Sequence, residues 1–115
     1  MSLVVFKYPF QFTEPDDERP WIDLPRDALV LDVQLQAGRF VLWALVSLDQ
    51  EEHVRCFFRF VGTGQTVPVR PLVSYIATIQ DGSLVWHVFK ELLGDTPKDS
   101  LVAHALKNLK TGRRE

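Results

Sequence analysis

The chain has 115 residues, 46% hydrophobic and 24% charged, with a formal net charge of −2. This size and apolar fraction suit one domain that buries its own core without disulfide or metal staples. A balance so close to neutral excludes a general nucleic-acid binder, which would be strongly basic, while leaving room for a local basic patch.

Residues 3–8, LVVFKY, form a short β-prone run that Pro9 stops. The N-terminal stretch has no basic leader region and meets this proline before any adequate apolar segment, so a signal peptide is not expected. No apolar run reaches the ~20 residues of a membrane helix. Residues 13–27 carry three prolines and six acids, including the run Asp16, Asp17 and Glu18. Prolines at this spacing exclude a helix, and the segment reads as a loop with Trp21 and Ile22 folded back as an anchor.

Residues 29–36 alternate, with Leu29, Leu31, Val33 and Leu35 on one face. Ala37-Gly38 then turns the chain into RFVLWALV (39–46), a hairpin that pairs Gln36 with Arg39, Leu35 with Phe40, Val33 with Leu42 and Leu31 with Ala44. The opposite face of this hairpin carries Val41, Trp43 and Leu45. It therefore calls for a cover, supplied by a helix, a second protomer or a ligand. After the charged loop 49–53, VRCFFRFV (54–61) is the next strand, with Arg55, Phe57 and Arg59 projecting from one side. Cys56 lies on the other side. As the chain's one cysteine it can form no internal disulfide, which fits a buried thiol in a reducing cytoplasm.

Residues 62–72 read as a loop. Segments 72–80 and 83–89 then flank Asp81-Gly82, a hairpin signal that would pair Ile79 with Leu84, Ala77 with Trp86 and Tyr75 with Val88, and set Ile76 against His87. KELLG (90–94) reads as one helical turn ended by Gly94. Thr96 and Pro97 then open an amphipathic helix over 96–112, with Val102, Ala105, Leu106 and Leu109 as its stripe. The expected fold is α+β: an antiparallel meander of five to six strands over residues 1–95, with the C-terminal helix 96–112 packed on it or on a partner subunit.

Two motifs bear on function. Gly62-Thr63-Gly64 is either a strand-ending turn or a concavity of backbone N–H groups that holds an anion; it lacks the spacing and lysine of a phosphate-binding loop. Arg55-x-Phe57-x-Arg59 is either a solvated strand face lying over the acids of the 49–52 loop or a site where guanidiniums hold phosphate and a ring stacks on a base. His87 sits among apolar residues, where a lone strand histidine is more often a hydrogen-bonded structural group than the catalytic base of a nuclease or phosphodiesterase. Neither His53 nor His104 completes a metal-ligand spacing with it, and no nucleophile elbow surrounds any serine. No enzyme signature, cofactor or metal set is visible.

FKYP (6–9), VQLQAGRFVLWALV (33–46), GTG (62–64), YIATIQ (75–80) and LVWHVF (84–89) together resemble, over residues 4–90, a family of small proteins encoded by bacteriophages and prophages. The acidic insert around 14–20 and the segment after 95 depart from that pattern. The resemblance implies a setting in the cytoplasm of a bacterial host and accessory proteins that counter host defences. The expected function is non-enzymatic sequestration of a small nucleotide-like signal by a homo-oligomer. Arg39, Arg55 and Arg59 would hold its phosphates, Gly62, Thr63 and Gly64 would cap an anion, and Trp43, Phe57 or Tyr75 would stack on its base. The alternative is a protein–protein inhibitor of a host defence complex, of the anti-CRISPR kind.

Overall fold

Period-two alternation carries most of the described chain into strands. The computed structural model describes residues 2–12, 19–67 and 70–92. Among them are seven strands: β1 (Leu3–Pro9), β2 (Trp21–Pro25), β3 (Leu29–Gln36), β4 (Arg39–Ser47), β5 (His53–Gly62), β6 (Val73–Asp81) and β7 (Leu84–Glu91). They form two antiparallel sheets, ordered β1-β4-β3 and β2-β5-β7-β6. The described residues contain no helix, which corrects the α+β expectation to an all-β, two-sheet fold. None of them forms a helix long and apolar enough to cross a membrane. The helix expected over 96–112 and the acidic run 16–18 lie outside the described residues.

Chain order explains why one meander becomes two sheets. β4 is flanked by β1 on one side and β3 on the other, so both its hydrogen-bonding edges are occupied before β5 begins. β5 must therefore start a second sheet, with β2 along its first half and β7 along its second. The inner faces meet in a core of Val33, Leu42, Ala44 and Val46 from the first sheet. Ile22, Leu24, Cys56, Phe58, Ala77, Ile79 and Val88 come from the second. Phe10, which follows β1, sets its ring edge-on against Phe58 and Phe60 at 5.1 and 5.2 Å, and Phe40 meets Phe60 at 4.9 Å. Such edge-to-face contacts add to the area term that dominates core stability. Burial raises the pKa of the Cys56 thiol above its ordinary range, as expected of an inert core cysteine.

Three sequence expectations change locally. Trp21–Pro25 is a strand and not a loop. Pro20 and Pro25 bracket it without interrupting it, and an edge position tolerates them; the Pro20 carbonyl accepts the Phe58 N–H at 2.9 Å. KELLG does not open a helical turn: Lys90 and Glu91 are the last residues of β7. The β6–β7 register is two residues away from the expected one, with Asp81 opposite Leu84, Ile79 opposite Trp86 and Thr78 opposite His87. The loop residues are Gly82 and Ser83, and the positive φ falls on Gly82 alone (62°). That is the type II′ pattern, not the type I′ turn that Asp-Gly implied. A shift between Tyr75 and Ala77 then places Tyr75 opposite Phe89, on the other face from Ala77.

The β3–β4 hairpin pairs as expected from Gln36–Arg39 to Val33–Leu42. An irregularity between Val30 and Asp32 then leaves Leu31 out, so that Ala44 faces Val30. Its turn holds both Ala37 (φ 51°) and Gly38 (φ 79°) in the left-handed region. Alanine is strained there, by about 1 kcal/mol, whereas asparagine is well accommodated. Ala37→Asn is therefore expected to raise the unfolding free energy by about 0.5 kcal/mol in urea titrations.

Candidate ligand-binding cleft

The outward face of β5 is built from charge pairs. Arg55 donates Nε and Nη2 to the two carboxylate oxygens of Asp23 at 2.9 and 3.1 Å, and its guanidinium lies 3.6 Å from the Trp21 ring. This hydrogen bond holds the Asp23 carboxyl below its ordinary range. Arg19 stacks 3.9 Å over Phe57 and donates Nε and Nη2 to Glu91 at 2.9 and 2.8 Å. Arg59 donates its Nε to the same carboxylate at 2.8 Å. Glu91 is 1% exposed. Burial alone would raise its pKa, but the hydrogen bonds and charges of Arg19 and Arg59 together outweigh it and hold the carboxyl below its ordinary 4.5. The acids over this face thus come from the neighbouring strands β2 and β7. In the 49–52 loop, Glu52 pairs with Arg26 instead.

Gly62-Thr63-Gly64 is a closed turn. The Gln65 N–H donates to the Gly62 carbonyl at 3.0 Å, and the Gln65 side-chain carbonyl accepts the Gly62 N–H at 2.7 Å. Gly64 has φ 91°, a conformation that a side chain would strain. The Gly62 amide therefore already has an acceptor within the protein. Thr63 faces away into a hydrogen-bonded chain: Thr63 Oγ1 to His87 Nε2 at 2.8 Å, His87 Nδ1 to Thr78 Oγ1 at 3.0 Å, and Thr78 Oγ1 to the Tyr75 hydroxyl at 2.8 Å. Both ring nitrogens of His87 have threonine partners.

Beyond the turn lies a cleft of about 610 Å³, within the ~300–1,000 Å³ typical of small-ligand sites. It opens where the start of β4, the end of β5 and the start of β7 come together. Phe12, Phe40, Phe60 and Trp86 give it four aromatic walls, with Pro20 and Val61 beside them; Arg59, Gly64, Gln65 and Thr66 supply the polar part. Arg59 is 24% exposed at its side chain and fixed through Nε to Glu91. Its two terminal nitrogens have no hydrogen-bond partner among the described residues.

Of the residues the sequence singled out, the structure brings Arg59 and Gly64 to this cleft. Arg55 and Phe57 share the strand face with Arg59 but are occupied by Asp23 and Arg19. Gly62 and Thr63 belong to the turn, and Tyr75 to the His87 chain. Arg39 is exposed at the start of β4. Trp43 is on the outer face of the first sheet, between Lys7 and Asp32 in register. The remaining cleft residues had no local signature. Phe12, Phe40, Phe60 and Trp86 come from four separate segments that only the sheet topology brings together. Among the described residues no cluster of His, Cys, Asp and Glu could hold a metal ion.

Comparison with curated proteins and with solved structures returns no match. One family model does match, over residues 1–105, and it covers both sheets and every wall of the cleft. The chain belongs to that family, described as Domain of unknown function (DUF7352).

Proposed function

We propose that the protein is a non-enzymatic binding module that takes a flat, nucleotide-like small molecule into the cleft. The observation that carries this reading is the combination of four aromatic walls with one anchored arginine whose terminal nitrogens have no hydrogen-bond partner among the described residues. Aromatic rings accept any heterocyclic base through its π face, and a guanidinium held at Nε is oriented to fork onto a phosphate or carboxylate. Gln65 and Thr66 add polar groups at the rim. With both nitrogens of His87 bonded to threonine hydroxyls, nothing in the reading requires a catalytic base. The resemblance to phage-encoded accessory proteins supplies the setting: removal of a nucleotide signal in the cytoplasm of a bacterial host.

Calorimetry against cyclic mononucleotides, cyclic dinucleotides and ADP-ribose derivatives tests this directly. Binding of at least one class is expected. Trp86→Ala should weaken it by roughly 5- to 150-fold, the equivalent of losing about 1–3 kcal/mol of stacking. Arg59→Met should weaken it at least about tenfold, with the melting temperature measured in parallel to exclude unfolding. No heat from any ligand while the protein is folded would end the reading.

A further inference from the structure

Among the described residues each sheet has two outer strands, and three of these four are guarded against pairing with another chain. β3 is irregular between Val30 and Asp32, β6 is irregular between Tyr75 and Ala77, and these two strands lie beside each other. β2 has five residues, carries Asp23 and ends in Pro25. Irregularities, prolines, charges and shortness are the usual means of blunting a sheet edge. β1 also ends in a proline, Pro9, but over Leu3–Tyr8 it has no irregularity and no proline, and a single charge. It is seven residues long and pairs with β4 in unbroken register. Leu3, Val5 and Phe6 are 57, 49 and 44% exposed. Its one charge, Lys7, donates from Nζ to Gln36 Oε1 at 2.7 Å, reaching back across β4 to β3 and away from the open side.

The hydrogen-bond phase of β1 follows from one contact. The Leu48 N–H donates to the Ser2 carbonyl at 3.0 Å, and an antiparallel ladder bonds every second residue. Val4, Phe6 and Tyr8 therefore direct their N–H and C=O groups to β4. Leu3, Val5 and Lys7 direct theirs to the open side.

We propose that this edge is closed by the same edge of a second copy, antiparallel across a two-fold axis, giving a continuous six-stranded sheet. The other outer strands are guarded, so a head-to-tail arrangement finds no acceptor edge among the described strands, whereas β1 is complementary to itself. A two-fold centred on Val5 or Phe6 places the open-side groups of each strand against those of the other. It also sets Lys7 opposite Leu3 or Val5 of the second copy, so like charges do not meet. A net charge of −2 per chain opposes association only weakly.

Sedimentation velocity of the full chain over a wide concentration series tests the proposal. Wild type is expected at twice the 13.2 kDa chain mass. Val5→Lys puts two lysines near the two-fold axis at a site already half-exposed in a single chain. It should sediment as a monomer with an unchanged circular dichroism spectrum. Val5→Pro, which removes an open-side N–H without touching the β4 ladder, should do the same. Leu31→Lys, on β3 at the opposite side of the sheet from β1, should remain dimeric. A wild type that stays monomeric at the highest concentration overturns the proposal, as does a dimer that survives Val5→Lys. Dissociation by Leu31→Lys alone would likewise overturn it.

Discussion

Glu91→Ala is expected to destabilise the protein by about 3 kcal/mol in urea unfolding. The carboxylate is almost completely buried and accepts three hydrogen bonds from two guanidiniums. Removing it takes away the carboxylate that both guanidiniums share and leaves the side chain of Arg59, only 24% exposed, without the carboxylate that holds its Nε. Breaking a buried pair from one side costs roughly 3–5 kcal/mol; the lower end applies here because Arg19 is half-exposed and can rehydrate. The same group fixes a pH dependence. Its folded pKa is depressed, so its contribution is fully present above its ordinary value of 4.5 and is lost as pH falls through the folded value. Wild-type stability should therefore decline below about pH 4.5. Glu91→Gln, which cannot titrate, should be less stable at neutral pH and show a shallower decline over that acid window.

Phe58→Ala is the second large effect, at about 4 kcal/mol. The ring is 0% exposed and stands at the centre of the core, edge-on to Phe10. Alanine removes its transfer energy and leaves a cavity that two hydrogen-bonded sheets cannot close by collapsing. Phe58→Leu, which keeps most of the volume, should cost only about 1–2 kcal/mol. Calorimetric melting distinguishes the two. A loss of about 4 kcal/mol is a large share of the 5–15 kcal/mol that holds a domain of this size together.

Strand-by-strand alternation was legible because each half-buried strand writes its two faces into its own residues. The first hairpin register followed from its turn, and the outward position of Trp43 followed from that register. What was not legible depended on residues far apart in the chain. The division into two sheets follows from β1 taking the free side of β4, which no window around β4 or β5 contains. Trp21–Pro25 was hidden because prolines at its ends look locally like prolines within it. The second hairpin differed because Asp-Gly and Gly-Ser are overlapping turn signals, and the pairing of Ile79 with Trp86 selects the latter. For the site, Arg59 was visible as half of an Arg-x-Phe-x-Arg pattern. The opposite fates of Arg55 and Arg59 were not, since Asp23 and Glu91 come from other strands.

The phenylalanine chain carries a practical consequence. Phe60 and Phe40 are walls of the cleft, and Phe60 leans through Phe10 onto Phe58, the ring that fastens one sheet to the other. Any guest that seats against Phe60 braces the joint between the layers, so occupancy registers as a rise in the temperature of global melting. An unlabelled library can then be screened by dye-monitored heating alone, before the chemistry of the guest is known.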